Sequence, residues 1–114
     1  MIITKKEPFT AAEIKKAVEE FETYIKTVID IDQEIGSAGA NRHFESERLL
    51  LDQGSKQSSL WGGGIDLDTL IIDNNSIINI RPSDDNNSNE IQDPIKRKKF
   101  EELSKCFFQN LWKK

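Results

Sequence analysis

The strongest constraint on the fold lies near the amino terminus, where several independent signals for one helix coincide. Thr10 is a residue type that caps helices, and Glu13 three residues later completes a capping box. Phe9 and Ile14 have the spacing of a hydrophobic staple. Apolar residues then recur at helical spacing, at Ile14, Val18, Phe21 and Ile25. The sequence therefore predicts an amphipathic helix over residues 11–24.

A second helix is predicted at the carboxyl end. Asp93 is a good N-cap, and Pro94 falls at the first helical position, where its missing N–H has no cost. Cys106, which lies next to Phe107 and Phe108, is interpreted as a small packing residue. The inner stripe of this helix is predicted to comprise Phe100, Leu103, Phe107 and Leu111. Phe108 and Trp112 add more aromatic surface than one stripe can bury, so we expect a homodimer through this helix.

Between the helices the pattern changes to that of strands. Asp30, Asp32 and Glu34 occupy even positions, and the isoleucines of this segment occupy odd ones, at Ile25, Ile29, Ile31 and Ile35. This alternation predicts a strand with one buried face. A glycine-containing turn follows, and residues 42–51 are interpreted as the second strand of a hairpin.

Further strand and turn signals follow in the second half of the chain. Residues around Ile65 and Leu67 are strand-like, and the three glycines at 62–64 indicate a bulge, a bend or a close backbone approach. Asn74 and Asn75 are predicted to form a tight hairpin loop between two isoleucine-rich strands. Pro82 is expected to end the last strand, with a mobile polar loop after it.

This order of elements defines the fold class. We predict an α+β protein with an antiparallel sheet of about four to five strands, flanked by an N-terminal and a C-terminal helix. The helices are expected to cover one face of the sheet. With 114 residues, of which 36% are hydrophobic and 32% charged, the chain is predicted to form a single domain over residues 1–114.

Charge and cysteine content exclude several functional classes. The formal net charge of −4 does not favour nucleic acid or an anionic membrane as a partner. Cys106 is the only cysteine, so no intrachain disulfide forms, and we expect a reducing compartment. No signal peptide and no apolar run long enough for a membrane span are visible. The cytoplasm is the expected location.

Three stretches together resemble a known family. They are residues 54–57 with 60–62 (Gly-Ser-Lys-Gln, then Leu-Trp-Gly), residues 78–83 (Ile-Asn-Ile-Arg-Pro-Ser), and residues 90–94 (Glu-Ile-Gln-Asp-Pro). This pattern resembles that of a small prokaryotic family known only as a domain of unknown function, number 5674. The chain differs at residues 85–88, which read Asp-Asn-Asn-Ser where the family pattern has Gly-Asn-Arg-Ser. The resemblance agrees with the fold prediction and implies no activity.

The predicted hairpin carries the first candidate site. In the expected register, Asp30, Asp32 and Glu34 share a sheet face with His43, Glu45 and Glu47. Carboxylates with one imidazole can bind a divalent metal or act in acid–base catalysis. A charged, solvated face of a one-sided sheet is the simpler interpretation and the one we favour. We expect no bound metal and no cofactor.

Two polar residues in the predicted last strand form a second candidate. Asn79 and Arg81 alternate with Ile78 and Ile80, so they are expected to point away from the core. Arg81 could hold a carboxylate or a phosphate bidentately. We favour the alternative, which is an ion pair with Asp30, Glu45 or Glu47.

The glycine-bounded loop of residues 54–64 is a third candidate. The glycines allow a ligand to approach the backbone of the loop closely. The side chains that could contact such a ligand are Lys56, Gln57 and Trp61. The loop lacks the spacing of a phosphate-binding loop. We favour a structural role, in which Leu60 and Trp61 anchor the segment.

Two functions follow from these candidates. The first is a non-enzymatic cytoplasmic module that binds a partner protein or a small ligand. The alternative is a small hydrolase-like enzyme that uses His43 with Glu45 or Glu47 and Arg81.

Overall fold

The computed structural model describes residues 2–18 and 23–112. In this part of the chain, five strands and three α-helices follow one another: β1 (Ile3–Lys5), α1 (Ala11–Ala17), β2 (Tyr24–Asp30), β3 (Ile35–Ala38), α2 (His43–Asp52), β4 (Leu60–Asp66), β5 (Ile72–Asp73) and α3 (Pro94–Phe107). Short 3₁₀ turns lie at Gln57–Ser59, Ile77–Asn79, Pro82–Asp84 and Gln109–Leu111.

The strands form one antiparallel sheet in the order β1-β3-β2-β4-β5. Its centre is the long β2–β4 pair, in which Tyr24 lies opposite Asp66 and Asp30 opposite Leu60. The outer strand β5 pairs only with Gly64 and Ile65 of β4. The α+β class, the antiparallel sheet and the helices near both ends are confirmed.

Both faces of the sheet are covered, whereas one-sided cover was expected. On one face, Trp61 and Ile65 join a core with Phe9 before α1 and with Phe100 and Phe107 of α3. On the other face, Val28 and Leu60 pack with Leu50 of α2 and Ile78. In β2 and β4, even-numbered and odd-numbered residues are both buried. The alternation of apolar and polar residues therefore could not show that one face of the sheet is exposed.

The capping box that predicted α1 is present. The amide N–H of Glu13 donates to Thr10 Oγ1 at 3.1 Å, and the amide N–H of Thr10 donates to Glu13 Oε1 at 2.8 Å. The predicted C-terminal boundary is wrong, because the helix ends at Ala17 and Tyr24 begins β2. Phe21, the third residue of the predicted stripe, lies outside the described residues.

Helix α3 begins as predicted, with Asp93 Oδ1 accepting hydrogen bonds from the amides of Ile95 and Lys96. Within its predicted inner stripe, Phe100 and Phe107 are buried, and Leu103 and Leu111 pack partly against the same core. Two other expectations are wrong. Cys106 is exposed and does not fill the core. Phe108 is fully buried inside this chain, so it is not available for a dimer contact.

The segment predicted as the second hairpin strand is helix α2. Its buried residues Ser46 and Leu50 are four positions apart, which is the spacing of a helix and not of a strand. Phe44 is 51% exposed, although a strand with His43 and Glu45 on its outer face would have buried it. Glu45 Oε1 accepts a hydrogen bond from the amide of Arg42 at 3.0 Å and so stabilises the start of the helix. Strand β2 instead pairs with the short strand β3.

The second predicted hairpin is also wrong. After β5 the chain does not return as a strand through Ile78 and Ile80 but forms the 3₁₀ turn Ile77–Asn79. Ser76 starts this turn, since its hydroxyl oxygen accepts a hydrogen bond from the amide of Ile78. Pro82 does not end a strand; it is the first residue of another 3₁₀ turn.

The three consecutive glycines lie within β4, where atoms from other elements approach the backbone closely. A Cβ on Gly62 would lie 2.7 Å from Ser76 Cβ, and one on Gly63 would overlap the carbonyl oxygen of Asp73. The strand is continuous through all three positions. Of the alternatives of bulge, bend and close approach, the structure therefore shows close approach. Within residues 2–18 and 23–112, no helix has both the length and the apolar character required to cross a membrane.

Substituting alanine at Gly63 tests this packing. The new methyl group would meet a backbone oxygen that cannot rotate away, so we expect the free energy of unfolding to fall by about 3 kcal/mol. Gly54→Ala is the control, because its methyl group would meet no atom within 4 Å, and only the positive φ of 104° would add strain. Urea denaturation should show a clearly larger loss for Gly63→Ala. Equal losses would contradict the proposed contact.

Candidate functional site

Among the described residues, no strand lies beside the first half of β4 on its outer side. A side chain takes that place. The amide N–H of Gly62 donates to Asn79 Oδ1 at 2.8 Å, and Asn79 Nδ2 donates to the Gly62 carbonyl at 3.0 Å. Asn79 thus pairs with β4 as another backbone amide would. The prediction that Asn79 points to solvent is wrong, since the residue is 0% exposed.

Arg81 completes the same edge two residues further on. Its Nη1 donates to the carbonyl of Leu60 at 2.7 Å, and its guanidinium carbon lies 4.2 Å from the centre of the Trp61 ring. Arg81 is 7% exposed, so the expectation of an outward side chain is wrong here too. Burial lowers the pKa of Arg81 from its ordinary value, and Asp84 and Glu47 act in the opposite direction. The group stays cationic at neutral pH.

Two carboxylates lie near this guanidinium. Glu47 Oε2 is 3.9 Å from Arg81 Nη1, and Asp84 Oδ2 is 3.0 Å from Arg81 Nε. Glu47 is one of the three ion-pair partners that the sequence suggested. The pairing with Asp84 was missed, although a spacing of three residues is a common signal for a local ion pair.

The Arg81 surroundings contain several polar atoms without hydrogen bonds. Arg81 Nε and Nη2, Trp61 Nε1 and Glu47 Oε2 are all buried and have no hydrogen-bonding partner among the described residues. The Asp84 oxygen is near enough to Arg81 Nε for a hydrogen bond, but the direction of the N–H is unsuitable, so only the ion pair counts. We call Glu47, Trp61, Arg81 and Asp84 the Arg81 cluster.

The polar segment after Arg81 is held in place by Asn86. Asn86 is buried, and its Nδ2 lies 2.8–2.9 Å from the carbonyl oxygens of Asn79, Ser88 and Glu90. Its backbone also pairs with that of Arg81. These bonds tie the predicted mobile loop to the turn that carries Asn79.

The predicted acidic sheet face does not exist. Asp30 is buried at the end of β2, and its carboxylate accepts hydrogen bonds from Gln33 and from Ser55 Oγ, the latter at 2.7 Å. Asp32 and Glu34 lie in the following turn and are exposed. Ile29 and Ile31 are buried, as the alternation predicted. The predicted register is wrong because His43, Glu45 and Glu47 lie on helix α2.

The other residues of the hydrolase hypothesis are only partly brought together. His43 and Glu47 are one helical turn apart on α2, and Glu47 approaches Arg81. His43 Nε2 lies 2.7 Å from the carbonyl oxygen of Gly63, to which it donates a hydrogen bond when it carries the proton. Glu45 is exposed and caps the helix. No set of three His, Cys, Asp or Glu side chains is arranged for metal binding within the described residues.

Two residues of the glycine-bounded loop remain on the surface. Lys56 and Gln57 are exposed at the start of the 3₁₀ turn before β4. Trp61, the third ligand candidate of this loop, is 1% exposed and forms part of the core. The structural role that we favoured therefore fits Trp61, while Lys56 and Gln57 remain accessible.

An open cleft of about 550 Å³ lies between β5 and α3. It is lined by Leu70, Ile72, Glu101, Lys105 and Trp112. Trp112 was suspected from the sequence because the helix carries surplus aromatic residues. The other four carry no local signal, since the cleft exists only when α3 packs beside β5.

The environment of His43 predicts a dependence of stability on pH. Burial is the main reason that the pKa of His43 is lowered from its ordinary value of 6.5. The unfolded chain therefore binds a proton more readily than the folded chain, and stability falls as the pH decreases below about 6.5. One proton contributes at most about 1.4 kcal/mol per pH unit.

His43→Gln tests this dependence, because glutamine keeps a donor for the Gly63 carbonyl and does not titrate. His43 is the only histidine of the chain, so the variant removes the whole contribution of this residue type. Denaturation between pH 7 and pH 5.5 should show a smaller loss of stability for the variant than for the parent. Equal slopes would contradict the buried position of the ring.

Comparison with known proteins gives one match. No curated protein and no solved structure matches the chain. A family model described as "protein of unknown function (DUF5674)" matches residues 1–107, which include β1 to β5, α1, α2 and all of α3. The chain therefore belongs to the DUF5674 family of proteins of unknown function.

Proposed function

We propose that this protein is a non-enzymatic binding module and that it binds its ligand in the cleft between β5 and α3. The supporting observation is the cleft itself, whose volume of about 550 Å³ lies within the range of ligand sites. Three of the five lining side chains are apolar, and the other two are Glu101 and Lys105. This combination of apolar surface and a few charged groups is typical of binding sites.

The surroundings of the cleft add two further observations. Trp112 is 44% exposed and its neighbour across the cleft, Leu70, has a φ of 59°. Left-handed backbone is unfavourable for a leucine and is held here by the hydrogen bond from the Leu70 amide to the Asp66 carbonyl at 2.6 Å. Backbone strain of this kind occurs often at binding sites.

The lining residues define the ligand chemistry. Trp112, Leu70 and Ile72 suit an aromatic or branched apolar group, because the indole offers a flat surface for packing. Glu101 and Lys105 are four residues apart on α3, so they can hold a polar end of the ligand from one side. We propose a small ligand, or a side chain of a partner protein, with an apolar body and one charged end.

The hydrolase alternative has less support. His43 Nε2 contacts a backbone carbonyl, and no hydrogen bond from the ring to a carboxylate is present within the described residues. Glu47 contacts Arg81, and Glu45 stabilises a helix start. A catalytic base would need a free nitrogen facing a cleft, whereas the described cleft is lined by other residues.

The expected cellular context follows from composition. We propose a cytoplasmic location because the only cysteine, Cys106, is an exposed free thiol that suits a reducing compartment. The net charge of −4 supports a protein or small-molecule partner over nucleic acid or an anionic membrane. No cofactor is part of the proposal.

Anilinonaphthalene sulfonate is a suitable first probe of the cleft, because it combines aromatic rings with an anionic group for Lys105. We expect saturable binding that shifts the amide NMR signals of Leu70 and Glu101. Trp112→Ala should weaken binding roughly tenfold, the effect of truncating one large aromatic contact. Phe44→Ala is the matched control, since Phe44 is an aromatic residue of similar exposure but lies on α2. Equal weakening by both variants, or shifts spread over the whole protein, would contradict the proposal.

A homodimer is the second proposal for the same surface. With Phe108 buried, Trp112 is the aromatic residue of the predicted pair that remains exposed to meet a second copy. Light scattering at high micromolar concentration should then give the mass of two protomers, and Trp112→Ala should return the mass to one. A monomeric parent protein would exclude the dimer and leave the cleft to a ligand.

A further inference from the structure

Independent of the β5–α3 cleft, the Arg81 cluster contains a buried cation whose hydrogen bonds are incomplete. Arg81 is 7% exposed, yet within residues 2–18 and 23–112 only Nη1 among its side-chain nitrogens donates a hydrogen bond, to the Leu60 carbonyl. Nε and Nη2, which form one edge of the guanidinium, have no acceptor among the described residues. Buried donors are normally paired, and an unpaired charged donor is costly. This edge therefore offers two buried donors to an acceptor group.

Asp84 lies at this edge but does not accept a hydrogen bond from it. Its Oδ2 is 3.0 Å from Arg81 Nε without hydrogen-bond alignment. A carboxylate in the guanidinium plane would make two parallel bonds, one to Nε and one to Nη2. The Trp61 ring supports the guanidinium face, and its free indole N–H is a further donor in the same cluster. We propose that the Nε–Nη2 edge of Arg81 binds an external carboxylate, which displaces Asp84.

Asp84 can leave because it belongs to a surface segment. Pro82, Ser83 and Asp85 are exposed around it, and Asp84 itself is half-buried. The side chain of Asp84 can rotate toward solvent without moving the backbone bonds between Arg81 and Asn86. Asp84 thus acts as an internal competitor for the ligand.

The charges in and beside the Arg81 cluster favour a carboxylate over a phosphate. Arg81 and Lys96, whose Nζ lies 5.4 Å from the centre of the Trp61 ring, are offset by Glu47 and Asp84. A phosphate monoester carries about −1.5 to −2 charges at neutral pH and would meet two carboxylates without excess positive charge. A carboxylate brings one negative charge and a planar pair of oxygens that matches the fork. The source is either a small organic acid or the terminal carboxylate of a peptide.

Trp61 can report on the site directly. In the Trp112→Phe background it is the only tryptophan, since the chain has two. Sodium acetate should shift the indole N–H NMR signal of Trp61 in a saturable way, whereas acetamide and inorganic phosphate should not. This variant lacks the Trp112 indole of the β5–α3 cleft. The response of Trp61 to acetate therefore tests the Arg81 cluster independently of ligand binding in the cleft.

Asp84→Asn and Asp85→Asn form a matched pair for the displacement step. Each removes one negative charge from the same segment, but Asp84 contacts Arg81 and Asp85 is exposed. Asp84→Asn should tighten acetate binding roughly tenfold, the size of one charge-assisted hydrogen bond. Asp85→Asn should leave it unchanged. Equal tightening by both, or tightening by neither, would overturn the proposal.

Two further comparisons define the ligand and the role of the fork. A short peptide with a free terminal carboxylate that binds tighter than acetate, and loses binding when amidated, would identify a protein terminus as the source. Binding of acetate and propionate without a gain for the peptide would identify a small acid. Arg81→Lys, checked for folding by circular dichroism, should abolish the response to acetate. Acetate binding that survives this substitution, or no response from Trp61 in the Asp84→Asn variant, would refute the site.

Discussion

The pair of hydrogen bonds between the Asn79 side chain and the Gly62 backbone is the contact on which the α2 side of the molecule depends. It fixes the turn Ile77–Asn79 against β4, where the described part of the chain has no further strand. Asn79 Nδ2 also contacts the carbonyls of Asn74 and Asn89, so one amide joins three segments. The position of Arg81, two residues later, follows from this anchor. An apolar side chain at position 79 would leave both Gly62 groups without partners.

The sequence predicted those parts of the fold that depend on interactions between residues close together in the chain. The starts of α1 and α3 were predicted because Thr10, Glu13, Asp93 and Pro94 act on backbone groups within a few residues. Helix α2 was mistaken for a strand because it follows a glycine-containing turn after β2, and its few buried residues, Ser46 and Leu50, give a weak helical pattern. The short β3 strand contains Gly36, Ser37 and Ala38, which give no strand signal of their own.

The candidate sites show the same limit. The charge of Glu47 was enough to suggest it as a partner of Arg81. The burial of Arg81 could not be predicted in this way, because its hydrogen-bond acceptor is the Leu60 carbonyl, 21 residues earlier in the chain. The cleft depends on α3 packing beside β5, a contact that no local pattern contains. The left-handed backbone conformation of Leu70 could not be predicted from the sequence either, because leucine rarely adopts it. The stretches that carry the family resemblance were nevertheless informative, since they include Trp61, Gly62, Asn79 and Arg81.

The short length of β5 has a consequence for the behaviour of the protein at high concentration. An open strand edge presents free amide and carbonyl groups on which the strand of another molecule can assemble into aggregates. Along the first half of β4 these groups are already bonded to Asn79 and Arg81. Side chains, unlike a further strand, end the sheet without creating a new edge. The residues that shape the Arg81 cluster therefore also protect the central strand of the sheet from intermolecular β-pairing.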